Sequence, residues 1–220
     1  MPLQSVERLE DLPEPVPESD FVVIDVITAS TSIITLLEQG ATYVKPFADA
    51  DAAREFAHET PDCVLVGEDN GGPLEGFDHV PLPVQLRKAD LAGRPVAIRT
   101  SNGTRAVDRI GDREVFIGST TNASAVATLL RDRETDVWLV GAGYGGVPAP
   151  EDTAGVRLIE AHYNGGPTES HRQSLYSSID DSSPALWIRQ LGMGDEIEAI
   201  LEFDSTETVP RLEDGVFVAD

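Results

Sequence analysis

From Phe21 to His162, short apolar runs alternate with segments of helical period, and this alternation limits the fold more than any other feature of the chain. Phe21 to Val26 is apolar except for Asp25, as are Tyr43 to Phe47, Asp62 to Gly67, Pro95 to Ile98, Val115 to Gly118 and Val137 to Val140 in their cores. Runs that do not alternate with polar residues read as strands buried on both faces. Between them, Ala29 to Gln39, Asp49 to Glu59, Arg105 to Ile110, Thr121 to Arg131 and Glu151 to about His162 read as helices, with Gly40 as a stop and Asp49 or Asp51 as a cap. Strand and helix in turn make an α/β protein with a largely parallel or mixed sheet. At 220 residues and 40% hydrophobic content the chain predicts one domain, 1–220. Pro13, Pro15 and Pro17 predict an extended lead-in over 1–19. Residues 164–203 read as largely helical, with Trp187, Ile188, Leu191, Ile197, Ile200 and Leu201 as core positions, and Val209 to Val218 suits an edge strand or hairpin. Ile24 to Leu37 and Ile117 to Leu130 are loosely alike, but any α/β protein repeats this unit.

In such a fold ligands bind outside the carboxyl ends of the strands, so the loops there carry the functional expectation. Thr100 to Thr104 joins a strand to a helix and reads as a phosphate cradle. Ser101, Asn102 and Thr104 supply polar side chains, Gly103 a close backbone approach, and the helix start its free N–H groups and dipole. Arg99 and Arg105 flank the loop with planar cationic forks. A Ser/Thr/Asn-rich loop is equally the mark of a simple N-cap. Residues 68–83 hold Gly71, Gly72, Gly76, Pro73, Pro81 and Pro83, too many for regular structure over a length beyond a routine connection. The glycines of residues 141–146 follow a strand with G-x-G-x-x-G spacing, but Pro148 and Pro150 interrupt and no helix opens there, so Gly143 reads as a tight approach to a ligand.

Composition narrows the partners. Thirty-nine acidic residues against 16 basic give a net charge of -23, which opposes nucleic acid and anionic membranes. Lys45 and Lys88 are the only lysines, and this balance over an ordinary apolar core is what solubility in concentrated salt favours, so a salt-adapted, haloarchaeal-type protein is expected. Cys63 is the single cysteine, which excludes an intrachain disulfide, and its apolar neighbours Val64, Leu65 and Val66 make it read as a buried strand residue and not a nucleophile. The chain opens on no signal peptide and holds no apolar run near the roughly 20 residues of a membrane span, so a cytoplasmic location is expected. The sequence leaves oligomeric state open, a homo-oligomer included.

Asp25-Val-Ile-Thr-Ala-Ser-Thr31, Gly67-Glu68 with Gly76-Phe-Asp78, Thr100-Ser-Asn-Gly-Thr-Arg-Ala106, Asn122-Ala-Ser-Ala-Val-Ala127 and Glu151-Asp-Thr-Ala-Gly155 stand in an order that resembles the 2-phosphosulfolactate phosphatase family from about residue 20 onward. The resemblance implies a three-layer α/β/α sandwich and magnesium-dependent hydrolysis of a phosphate monoester on the way to coenzyme M. It adds Thr31 and Asn122, from the first and fourth motifs, to the substrate-binding set. Thr28 stands where the family usually has arginine, His79 to Pro83 depart from its run after Gly-Phe-Asp, and Gly141 replaces a common cysteine. These departures leave 2-phosphosulfolactate or a related phosphorylated hydroxy acid as substrate.

A phosphate monoester is a dianion that this acidic chain repels unless metal and arginine supply local positive charge. Magnesium prefers carboxylate oxygens, and Asp25, Glu68, Asp78, Glu151 and Asp152 are its candidate ligands, each following a strand or opening a helix. Each could equally be a cap or a solvated surface acid. Asp25, Glu68 and Arg105 are the expected catalytic residues, and His79 beside Asp78 is the one histidine placed as a proton donor. Attack by an activated water and an aspartyl-phosphate route through Asp25 both stay open, although Ile27 stands where the covalent route would place a second acid. A rival expectation is a catalytically degenerate binder of a phosphorylated or anionic metabolite.

Overall fold

The computed structural model describes residues 3–219. The chain runs β1 (Leu3–Val6), β2 (Asp20–Ile24), α1 (Ala29–Glu38), β3 (Tyr43–Phe47), α2 (Ala50–Glu59), β4 (Val64–Asp69) and β5 (Gly72–Pro73). It continues through α3 (Pro83–Leu86), β6 (Pro95–Arg99), α4 (Gly103–Ile110), β7 (Val115–Gly118), α5 (Ala123–Arg131), β8 (Val137–Gly141) and α6 (Pro150–Tyr163). Three further helices, α7 (Glu169–Asp180), α8 (Ser183–Gln190) and α9 (Gly194–Leu201), precede the hairpin β9 (Pro210–Glu213) and β10 (Val216–Ala219).

The ten strands form one sheet in the order β1-β8-β2-β7-β9-β10-β3-β6-β4-β5. Two parallel blocks, β1-β8-β2-β7 and β3-β6-β4, are joined through the antiparallel β9-β10 hairpin. The hairpin predicted for Val209 to Val218 is therefore central, not an edge, and Phe217, opposite Val44, is fully buried.

Both sheet faces are covered, as the unbroken apolar runs require. Phe21 and Val23 of β2 pack into one core with Ile33, Leu36, Val107 and Ile110 of α1 and α4. Val22 and Ile24 pack into the other with residues of α5 to α9, among them Val126, Ile159, Ile179 and Ile197. The result is a three-layer α/β/α sandwich. Close approach on the second face is set by Gly155 of α6, where an added Cβ would lie 2.8 Å from Val26 Cγ2 and 2.9 Å from Ile24 Cγ2.

Four local expectations are corrected. Part of the 1–19 lead-in is an edge strand, β1, with Leu3 opposite Val137 of β8, and residues 1 and 2 lie outside the described residues. The prolines punctuate only the stretch after it. Helix α4 begins at Gly103, two residues before Arg105. Cys63 lies just before β4 and is partly exposed. Trp187 and Leu191 are 43% and 52% exposed, because α8 buries Ala185 and Ile188 instead.

Candidate active site

Asp25 follows β2 directly, and its carboxylate turns back to cap the start of α1, accepting from the Thr28 amide. Its second oxygen accepts from the Gly103 amide at 2.8 Å. β2 and β6 are not neighbours in the sheet, so this bond ties the carboxyl ends of the two parallel blocks together. A Cβ on Gly103 would lie 2.7 Å from Asp25 Oδ2 and 2.5 Å from Ala29 Cβ, so the glycine is needed for the carboxylate's approach.

Glu68, near the end of β4, accepts from the Ser101 and Gly71 amides at 2.6 Å each and from the Ser101 hydroxyl at 3.2 Å. Asp152, in the first turn of α6, accepts from Val26 N at 2.8 Å and Gly143 N at 3.0 Å. Glu151 beside it is 4% exposed, and its Oε2 has no hydrogen-bond partner. Asp25, Glu68, Glu151 and Asp152 are all buried at 6% exposure or less, and among the described residues none of the four has an ion-pair partner.

Burial and mutual repulsion govern their protonation. Burial above all, with the Glu68 charge adding to it, lifts the Asp25 carboxyl from 3.8 to about 6. Burial, again with the Asp25 charge adding, lifts Glu151 from 4.5 to about 7, while the Ser182 hydroxyl pulls partway back. Asp152 is held well above the usual carboxylate range, first by burial and then by Asp25 and Glu151. Perturbed carboxyls gathered at strand ends mark a functional site better than any one acid does.

The remaining expected residues fall into four groups. Ser101 and Gly103 lie at the centre, but their amides hold Glu68 and Asp25. Gly143, at φ +68, holds Asp152 in the same way. Thr31, Thr104 and Asn122 are buried with their polar groups taken up inside the protein. Thr31 Oγ1 lies 2.9 Å from the Val26 carbonyl and 2.7 Å from Ser119 Oγ. The Thr104 hydroxyl donates to the Thr100 carbonyl at 2.8 Å. Asn122 accepts from Ser119 N and donates to the Ile117 and Thr208 carbonyls. Asn102 and Arg105 make no side-chain hydrogen bond or ion pair among the described residues, and Arg105 is exposed two residues beyond Gly103.

Two of the expected residues, Asp78 and His79, lie off the carboxylate cluster, and Arg99 is engaged within the protein. Arg99 donates to the Glu68 carbonyl at 2.6 Å and pairs with Asp69 at 2.9 Å, fixing the turn after β4. Asp78 accepts from Leu65 N at 2.8 Å. That register is three residues back along β4 from Glu68, roughly 10 Å at strand rise. His79 bridges to Val66 on the same stretch.

The structure adds what spacing could not signal. The Asn70–Gly71 turn wraps the Glu68 carboxylate, with Asn70 N donating to Ser101 Oγ at 2.8 Å. Arg8, in the supposed lead-in, donates to the Gly146 carbonyl at 2.6 Å and packs against Gly143.

Residues 7–215 match the family described as 2-phosphosulpholactate phosphatase. The chain is 32% identical to a probable 2-phosphosulfolactate phosphatase of Thermoplasma acidophilum, over 90% of this chain and 87% of that one. It is similarly 32% identical to a probable 2-phosphosulfolactate phosphatase of Thermotoga maritima, over 90% of each. A protein of the same description from Synechococcus sp. is 40% identical over 60% of this chain and 55% of its own.

Proposed function

Because this chain belongs to the 2-phosphosulpholactate phosphatase family, we propose that it hydrolyses a small phosphate monoester, 2-phosphosulfolactate or a related phosphorylated hydroxy acid, with magnesium as cofactor. The observation that carries this reading is the cluster of four buried carboxylates without a countercharge, from loops at the carboxyl ends of the two parallel blocks. Among the described residues no three acidic, histidine or cysteine side chains form a ready metal cage. Magnesium asks for less, since it ordinarily takes one or two carboxylates and fills its shell with water and phosphate oxygens. The burial and repulsion that raise Asp25 and Asp152 above the usual carboxylate range, with no cation paired to either among the described residues, fit such an ion.

One or two of Asp25, Glu68 and Asp152 would hold the metal, which when bound neutralises phosphoryl charge and acidifies a water. Each is held rigid by amides from two loops, so the oxygens do not have to reorganise as charge develops. Glu151, whose carboxyl titrates at about 7, is partly protonated near neutral pH, and it is the acid from which a departing alkoxide could be protonated. Arg105 and Asn102, both free at the start of α4, are the groups left to meet the phosphoryl oxygens, since the cradle's own amides face carboxylates.

Among the described residues no helix is long and apolar enough to cross a membrane, and the acidic composition supports work in a salt-rich cytoplasm without nucleic acid as partner. Phosphate release from a panel of phosphomonoesters, with and without magnesium in molar salt, tests the proposal. Hydrolysis of 2-phosphosulfolactate or a close hydroxy-acid phosphate that stops on chelation is expected. Binding of these compounds without turnover would instead identify a degenerate binder.

A further inference from the structure

Helix α8 touches the carboxylate cluster at two places. Its cap residue Ser182 lies beside Glu151, and five residues on, about 7.5 Å along the axis, Trp187 meets the turn that wraps Glu68. A Cβ added to Gly71 would lie 3.2 Å from Trp187 Cζ3 and 3.3 Å from Cη2, so the indole rests directly on the Gly71 backbone. The ring is nevertheless 43% exposed, which does not suit a mere core filler.

The turn beneath it is held from two sides. Asn70 at φ +49 and Gly71 at φ +81 are both left-handed, a conformation these two residue types adopt at little cost, so the turn forms readily and its seating on Glu68 is what its neighbours decide. Ser101 Oγ holds the Asn70 amide at 2.8 Å from inside, and the Trp187 ring covers the outer side of the turn at Gly71.

We propose that Trp187 is a positioning residue for Glu68: its ring, pressed on Gly71, keeps the Gly71 N–H on Glu68 Oε2 and so fixes the carboxylate from a helix outside the parallel framework. This rests on the role given to Glu68 above. It also explains why a tryptophan whose helical spacing points to the core stands half in solvent.

The test compares Trp187→Ala and Trp187→Phe in the full chain, with Leu186→Ala as a control on the same helix. Two readouts are taken: hydrogen exchange of the Gly71 amide by NMR, and kcat and KM on the best phosphomonoester. Trp187→Ala should speed Gly71 exchange at least 10-fold and lower kcat at least 10-fold, with KM within threefold. Trp187→Phe, which keeps a flat ring on the turn, and Leu186→Ala should both stay within threefold of wild type. Native Gly71 protection in Trp187→Ala overturns the proposal, as does faster exchange with unchanged kcat. Should Trp187→Ala fail to fold, a Trp187→Leu variant with the native kcat and protection overturns it equally. If the wild type hydrolyses nothing, the functional reading fails, while the exchange data still decide whether Trp187 fixes the Glu68 turn.

Discussion

Asp25 and Glu68 each accept two backbone amides, one of them from the Thr100 to Thr104 loop, and this is why the phosphate cradle read from the sequence turns out to be occupied from within. Short-range pattern shows that a Ser-Asn-Gly-Thr loop offers donors. It cannot show that carboxylates 33 and 78 residues away in sequence take them. Arg105 is left unengaged, so Arg105→Ala should lower kcat/KM roughly 30- to 1000-fold, a loss of about 2–4 kcal/mol in transition-state binding, with melting temperature almost unchanged. Steady-state kinetics on the folded variant decide it, and native efficiency would move the phosphate to another loop. Glu151 makes a second forecast. Its folded carboxyl titrates near 7 against an ordinary 4.5, so the native state binds the proton more tightly than the unfolded chain does. The stability it contributes is complete below pH 4.5 and is lost as pH rises through 7. Metal-free protein in molar salt should therefore melt at lower temperature as pH climbs from about 5 to about 8, and Glu151→Gln should flatten that fall. A thermal scan in which both proteins respond alike to pH would reject this account of Glu151.

At the scale of elements, the α/β rhythm was legible because each buried strand is a dense apolar run and each helix has a start or stop signal. What local pattern could not reveal was pairing over long separations. β1 reads as lead-in because four residues before a proline-rich stretch look like nothing until β8, more than 130 residues on, lies beside them. The hairpin β9-β10 looks like an edge because its partners β7 and β3 are remote in sequence. Trp187 and Leu191 have helical spacing, but a short helix between two others shows only part of its surface to the core, and here Ala185 and Ile188 occupy that part. Of the expected acids, Asp25 and Glu68 stand at the carboxyl ends of β2 and β4, and the loop after β8 brings Glu151 and Asp152, in the first turn of α6, to the same edge. Asp78 does not reach it, because its loop doubles back along β4. The seating of α6 depends on Gly155, so Gly155→Val should destabilise the fold by about 1–3 kcal/mol and shift Asp152 away from Val26. Urea unfolding measures the first effect, and a native midpoint would show that the α6–β2 contact yields without strain.

For the molecule as a whole, a charge of -23 makes self-repulsion a standing cost that screening relieves. The melting temperature should rise as potassium chloride goes from about 0.1 M to about 2 M, over which the screening length drops from roughly 10 Å to under 3 Å. A flat or falling curve would remove the case for salt adaptation. The same whole-molecule view shows what the position of β9-β10 means for a chain being made on a ribosome. Both parallel blocks have been synthesised once Gly141 is made, yet the strands that join them follow roughly 70 residues later, a wait of about 4–14 s at ordinary elongation rates. During that interval the inner edges of β7 and β3 have no neighbour, and open edges recruit strands from other chains. Nascent chains arrested before Val209 should accordingly be cleaved by protease in both blocks, where full-length chains resist. Birth order and sheet order thus run against each other in this protein, and its most exposed moment comes before any solvent, salt or ligand can act on a finished fold.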